Sequence, residues 1–163
     1  MRRPLLALFC LAACDMPGHR DTGGPPVDFT IAGLSFHLSS GAAVVSSGGL
    51  AFYLSDQADT CLAISLVPVG TATTFSLHIT PPADGPTQAT VVARTTPAAG
   101  EAVGGLVRAT GGKQEASVAA ANGTVSWTAN SDGSFAITAI DVGFAGTTDR
   151  LATYGLTLPA CKP

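Results

Sequence analysis

From Phe29 onward the sequence repeats with a period of two. Phe29 and Ile31 alternate with polar or small residues, and Leu34, Phe36 and Leu38 alternate with Ser35 and His37. Leu50, Phe52 and Leu54 form a further set, as do Phe75, Leu77 and Ile79. Successive side chains of a strand point to opposite faces, so this alternation describes strands with one face buried. Ala43–Val45, Thr90–Arg94, Val103–Val107, Phe135–Ile140 and Leu151–Leu158 extend the series. Residues 113–120 and 123–129 read as a hairpin turning at Asn122-Gly123, a pair suited to two-residue β turns. Pro81 to Pro86 and Asn130-Ser131-Asp132-Gly133 supply further turns. The exception is the segment from Asp56 to Ile64. There Ser55 or Asp56 could cap a short helical turn carrying Cys61, with a plain loop as the alternative. About ten short strands and no long helical pattern predict an all-β fold, an antiparallel β-sandwich or small barrel.

Composition narrows the partners. Charged residues are 12 % of the chain, about half the usual share. Arg20, Arg94, Arg108, Lys113, Arg150 and Lys162 are scattered. Nucleic-acid binding needs clustered cations to neutralise phosphates, so no nucleic-acid partner is expected.

The N-terminus carries an address. Met1-Arg2-Arg3 is basic, Pro4 to Ala13 is almost wholly apolar, and Leu11-Ala12-Ala13-Cys14 follows. A basic head, a short apolar run and small residues before a cut describe an export signal. The run is too short to span a bilayer, which takes about 20 residues. Leu11-Ala12-Ala13-Cys14 resembles the lipobox of bacterial lipoproteins. The resemblance implies a signal peptide over residues 1–13, lipidation of Cys14 as the new N-terminus, and anchoring by two or more acyl chains. The rivals are an ordinary secretory signal cut after Ala13 and a buried N-terminal element. Residues 14–27, rich in Pro and Gly, then read as lipidated cysteine and flexible tether spanning about 20 Å. Residues 28–163 read as a single β domain. The expected location is the bacterial cell envelope, on the inner or outer membrane; Asp15 resembles the enteric inner-membrane retention signal. Leu50 to Cys61 and the terminal Leu158-Pro159-Ala160-Cys161 resemble uncharacterised lipoproteins of high-GC bacteria.

Cys10 would leave with the signal. Cys61 and Cys161 remain in the domain, and in an oxidising compartment such a pair forms a disulfide. The alternative is two separate buried thiols. Two isolated cysteines lack the paired spacing of zinc sites, so no metal is expected.

Candidate chemistry is sparse. His19 lies in the tether. His37 and His78 sit at polar positions of alternating strands, so they mark a possible ligand face, should their strands pair. Solvated surface histidines are the plainer reading. No Gly-x-Ser-x-Gly elbow occurs, and a triad assembled in space stays open. Asp56 and Asp59 flank the turn before Cys61. Asn130 and Asp132 resemble a fragment of a calcium loop, although turn chemistry explains them as well. Asn122-Gly123-Thr124 has the form of a glycosylation acceptor, but the hairpin takes precedence. Trp127 shares a face with Val125 and is assigned to the core rather than to a sugar platform. No catalytic residue and no cofactor is expected. The leading expectation is a non-enzymatic, lipid-anchored structural or interaction module with an envelope protein or glycan partner. A carbohydrate- or ligand-binding module and a tethered hydrolase are the alternatives.

Overall fold

A computed structural model describes residues 27–47, 49–61, 70–81 and 87–161. The signal segment, Cys14, His19 and nearly all of the tether lie outside the described residues, as does most of the turn at 81–86.

Eleven strands make up the described fold, which is all-β as the alternation predicts. β1 (Asp28–Ile31) and β2 (Leu34–His37) form a small two-stranded sheet. The rest build one large sheet: β3 (Ser40–Ser46), β4 (Gly49–Ser55), β5 (Thr71–Thr80), β6 (Gln88–Val91), β7 (Glu101–Thr110), β8 (Lys113–Ala129), β9 (Phe135–Phe144), β10 (Arg150–Thr153) and β11 (Leu156–Leu158). Their order is β10-β9-β8-β6-β7-β5-β4-β3, with β11 paired to β9 beside β10. Every named pairing is antiparallel except β6 with β7, which is parallel through Thr90–Glu101 and Val91–Ala102. A short strand inserted between two long neighbours is invisible to periodicity, which does not report partners.

The sheet curls until its ends meet. The Ala43 N–H donates to the Pro159 carbonyl at 2.8 Å, and the Cys161 N–H donates to the Ala43 carbonyl at 2.8 Å. The Cys61–Cys161 disulfide lies beside this seam, with Cα atoms 5.4 Å apart. It ties the tail to the segment leaving β4, as expected of a staple. That segment is itself held to β3, because the Ser40 hydroxyl bonds both the Gln57 carbonyl (2.7 Å) and Thr60 Oγ1 (2.5 Å). Thr60 and Cys61 have helical backbone. Neither Ser55 nor Asp56 caps it. Ser55 accepts the Gln57 N–H at 3.1 Å, and Asp56 Oδ2 accepts the Thr73 N–H at 2.9 Å.

Alternation sorts the core correctly. Phe52, Leu54, Phe75, Leu77, Leu106, Ile137 and Ile140 are all buried in one cluster. Trp127 is only 6 % exposed and meets Phe52 edge to face at 5.7 Å, which places it in the core. The small β1–β2 sheet adds Ile31 and Phe36 to the same cluster.

The hairpin at Asn122-Gly123 is not formed. β8 runs unbroken for 17 residues through that pair. Its first half lies along β7, and its second half lies between β6 and β9. The register slips by one residue between Ala120 and Asn122, a β-bulge at the point where β8 changes neighbours. Gly123 has a φ of 121°, and a Cβ there would meet the Asp141 carbonyl oxygen at 2.0 Å. The freedom that suits Asn-Gly to turns here serves a bulge and a close strand approach. Arg150 covers the spot, donating to Asp141 Oδ1 at 2.7 Å and Asn122 Oδ1 at 3.1 Å. The turn at Asn130–Gly133 does form and joins β8 to β9, with the Gly133 N–H on the Asn130 carbonyl at 3.1 Å.

The β1–β2 turn holds a test of its own. Ala32 and Gly33 have φ of 50° and 79°, as a two-residue hairpin turn requires. An alanine is strained there. The Asp149 carboxylate accepts the Ala32 N–H at 2.8 Å, clipping the hairpin to the β9–β10 loop. That bond, followed by one from Thr147, holds the Asp149 carboxyl below the ordinary aspartate range. A depressed carboxyl contributes stability above its unfolded pKa of about 3.9 and loses it as pH falls through the folded value. The Ala32 amide chemical shift is therefore expected to titrate with the Asp149 carboxyl, at a midpoint below the ordinary aspartate value of about 3.9. Asp149→Asn should remove this pH dependence, read by NMR of the Ala32 amide. A pH-independent amide in the wild type would contradict the clip.

Candidate functional site

Two surface concavities carry the histidines, and they are separate. His37 lies on β2, which pairs with β1; His78 lies on β5, which pairs with β4 and β7. The strands do not pair with each other, so the sequence-based union of the two histidines in one face does not form.

His37 stands opposite Asp28 in the β1–β2 register, and its Nδ1 donates to Asp28 Oδ1 at 2.7 Å. The pair borders a cavity of about 380 Å³ together with Ser35, Phe36 and Asp56. Its side chains are 61 % and 80 % exposed. At that exposure water screens the pair and competes for both partners. Among the described residues no serine hydroxyl bonds either histidine. Asp56, the second carboxylate there, is engaged by the Thr73 N–H and the Gln57 side-chain amide. The arrangement is a solvated hydrogen-bonded pair across a hairpin.

His78 stands in a more developed setting. On β4, Phe52 and Leu54 turn inward, so Tyr53 faces out. On β5, Leu77 and Ile79 turn inward, so His78 faces out. Tyr53 is in register with Ser76, and Ala51 with His78. The two rings are therefore diagonal neighbours across β4 and β5, within reach of aromatic side chains. Their centroids are 5.8 Å apart and their planes meet at 87°.

A loop completes the groove. Thr96 and Pro97, from the connection between β6 and β7, form one wall, and Val44 and Ser46 of β3 form another. The cavity measures about 450 Å³, within the range of about 300–1,000 Å³ common for small-molecule sites. The loop is held in place from several sides. Thr80 Oγ1 donates to the Pro97 carbonyl at 3.4 Å, and the Gly100 N–H donates to the Thr80 carbonyl at 2.8 Å. Glu101 accepts the Ala98 N–H at 2.8 Å and pairs with Arg94. Gly49 lets the start of β4 close on β5, since a Cβ there would meet the Ile79 carbonyl oxygen at 2.4 Å. Partial burial pushes the Tyr53 phenol above its ordinary pKa, so it stays a neutral hydroxyl. Among the described residues no Asp, Glu, Lys or Arg lines this groove.

The remaining sequence candidates resolve into structure. Asp132 Oδ1 accepts the Ser134 N–H at 2.9 Å and its hydroxyl at 2.7 Å. Those bonds hold the Asp132 carboxyl below its usual range, and the calcium-loop fragment is a turn. No cluster of metal-ligating side chains occurs among the described residues. The outward parity of Tyr53 was readable in the sequence. Its meeting with His78 depends on the β4–β5 register, and the groove around them on a loop about twenty residues after His78, neither of which leaves a local signal.

No family model, no curated protein and no solved structure matches this chain.

Proposed function

We propose that this chain is a lipid-anchored protein of the bacterial cell envelope, with a β domain that works as a structural or interaction module rather than as an enzyme. The Cys61–Cys161 disulfide is the observation that carries this reading. Disulfides persist in oxidising compartments outside the cytoplasm, which is the destination that Leu11-Ala12-Ala13-Cys14 implies. The anchor is the lipid on Cys14, and the partner is an envelope protein or glycan. The exposed His37–Asp28 pair supports the non-enzymatic reading, because a catalytic dyad gains most of its strength from a water-excluded site.

Replacing Cys14 with Ser tests the anchor. Metabolic labelling with a fatty acid should mark the wild type and leave Cys14→Ser unmarked, and the variant should leave the membrane fraction. Unchanged labelling and fractionation would overturn the proposal.

A second reading, a ligand-binding module, is favoured by one observation. The Tyr53–His78 groove has a formed floor, two walls and a right-angled pair of rings. The two readings are compatible, since an anchored module can act by holding a ligand.

A further inference from the structure

The geometry points to the Tyr53–His78 groove as a binding site for a neutral glycan. This rests on the ligand-binding reading above and names the class of ligand. Three features select it. First, the groove has no charged side chain among its described lining residues. An anionic ligand would lose water there without gaining a cation, and a cationic ligand would find no carboxylate. Second, the lining mixes apolar surface from Val44, Ala51 and Pro97 with hydroxyls from Tyr53, Thr80 and Thr96. A pyranose has the same duality, with C–H groups on its faces and hydroxyls around its rim. Third, the Tyr53 and His78 planes meet at 87°. The negative face of one ring can receive the C–H face of a sugar, while the perpendicular ring presents its edge to a rim hydroxyl.

The polar atoms are available for this. Among the described residues neither the Tyr53 hydroxyl nor a His78 ring nitrogen takes a hydrogen-bond partner, whereas His37 is already bonded to Asp28. A fused aromatic ligand would use the ring faces but leave the Tyr53 hydroxyl without a partner. A glycan uses both.

The test is calorimetric titration of the full chain in a zwitterionic, sugar-free detergent. The probes are neutral trimers of β-1,4-linked N-acetylglucosamine, of β-1,4-linked glucose and of α-1,4-linked glucose. A sulfated trisaccharide and a glucosamine trimer bearing free amines serve as charged counterparts. At least one neutral trimer should bind more tightly than both charged ones. Tyr53→Ala should weaken it about tenfold or more, a loss on the scale of one stacked ring and one hydrogen bond. Tyr53→Phe, which keeps the ring, should lose less, and His37→Ala should change nothing. The intrinsic fluorescence of buried Trp127 certifies that each variant is folded. Failure of all three neutral trimers to bind folded wild type, preference for a charged trisaccharide, or equal binding by folded Tyr53→Ala would each overturn the inference. Anchoring plays no part in a detergent titration. An unlabelled Cys14 would therefore count against the envelope reading alone, and a silent titration against the groove alone.

Discussion

Replacing Cys61 and Cys161 together with serine is expected to lower the unfolding free energy by about 2–5 kcal/mol. The two residues are 100 positions apart, and the chain-entropy account values a loop of that length at about 4.7 kcal/mol. The native state adds a second reason. Between β3 and the tail beyond β11 the described backbone contacts are one bridge and its two hydrogen bonds at Ala43. So thin a seam gives the tail little hold of its own. Leu158, buried against the core at 1 % exposure, ends β11 and leads directly into that tail. Urea denaturation reads the effect as a lower midpoint for the double variant. Wild type treated with a thiol reductant should fall to the same midpoint. A midpoint that neither the substitution nor reduction moves would show that the seam holds without its covalent tie.

Phe52→Ala is expected to cost about 3–5 kcal/mol, the range for removing a large aromatic from a tight core. Phe52 is 1 % exposed and meets both Trp127 and Phe135 edge to face at 5.7 Å. Truncation removes its own buried surface and one side of each aromatic contact, across strands distant in sequence. Tyr53→Phe one residue away should shift the midpoint far less, because that side chain faces out. In a folded Phe52→Ala protein, Trp127 fluorescence should move to longer wavelength as water reaches the vacated space. An unshifted spectrum with an unchanged midpoint would place Phe52 outside the principal core.

Side-chain parity was the readable part of this sequence. It assigned Phe52, Leu77 and Trp127 to the interior, and it left His37 and His78 outside. Cysteine count and export context paired Cys61 with Cys161. Parity says nothing about partners, however, and each departure arises there. Asn122-Gly123 has the chemistry of a turn, but β8 needs a bulge where it passes from β7 to β6. His37 and His78 share a pattern, yet their strands belong to different sheets. The groove joins residues from β3, β4, β5 and the β6–β7 loop, so no single window of sequence contains it. Cys14 is the reverse case, because its reading is entirely sequential and lies outside the described residues.

The seam at Ala43 also sets an order of events. An early strand waits for residues 159–161 before its edge is covered, and Ala32 waits for Asp149. Contacts so far apart along the chain slow folding, because the intervening loop must be ordered before they repay it. If the chain is threaded across a membrane from its N-terminus, β3 reaches the far side long before its closing partner. During that interval the β3 edge at Ala43 lacks its closing partner, and an unpaired strand edge is the kind of surface that pairs with other chains. On such a route residues 159–161 would determine when the β3 edge closes at Ala43.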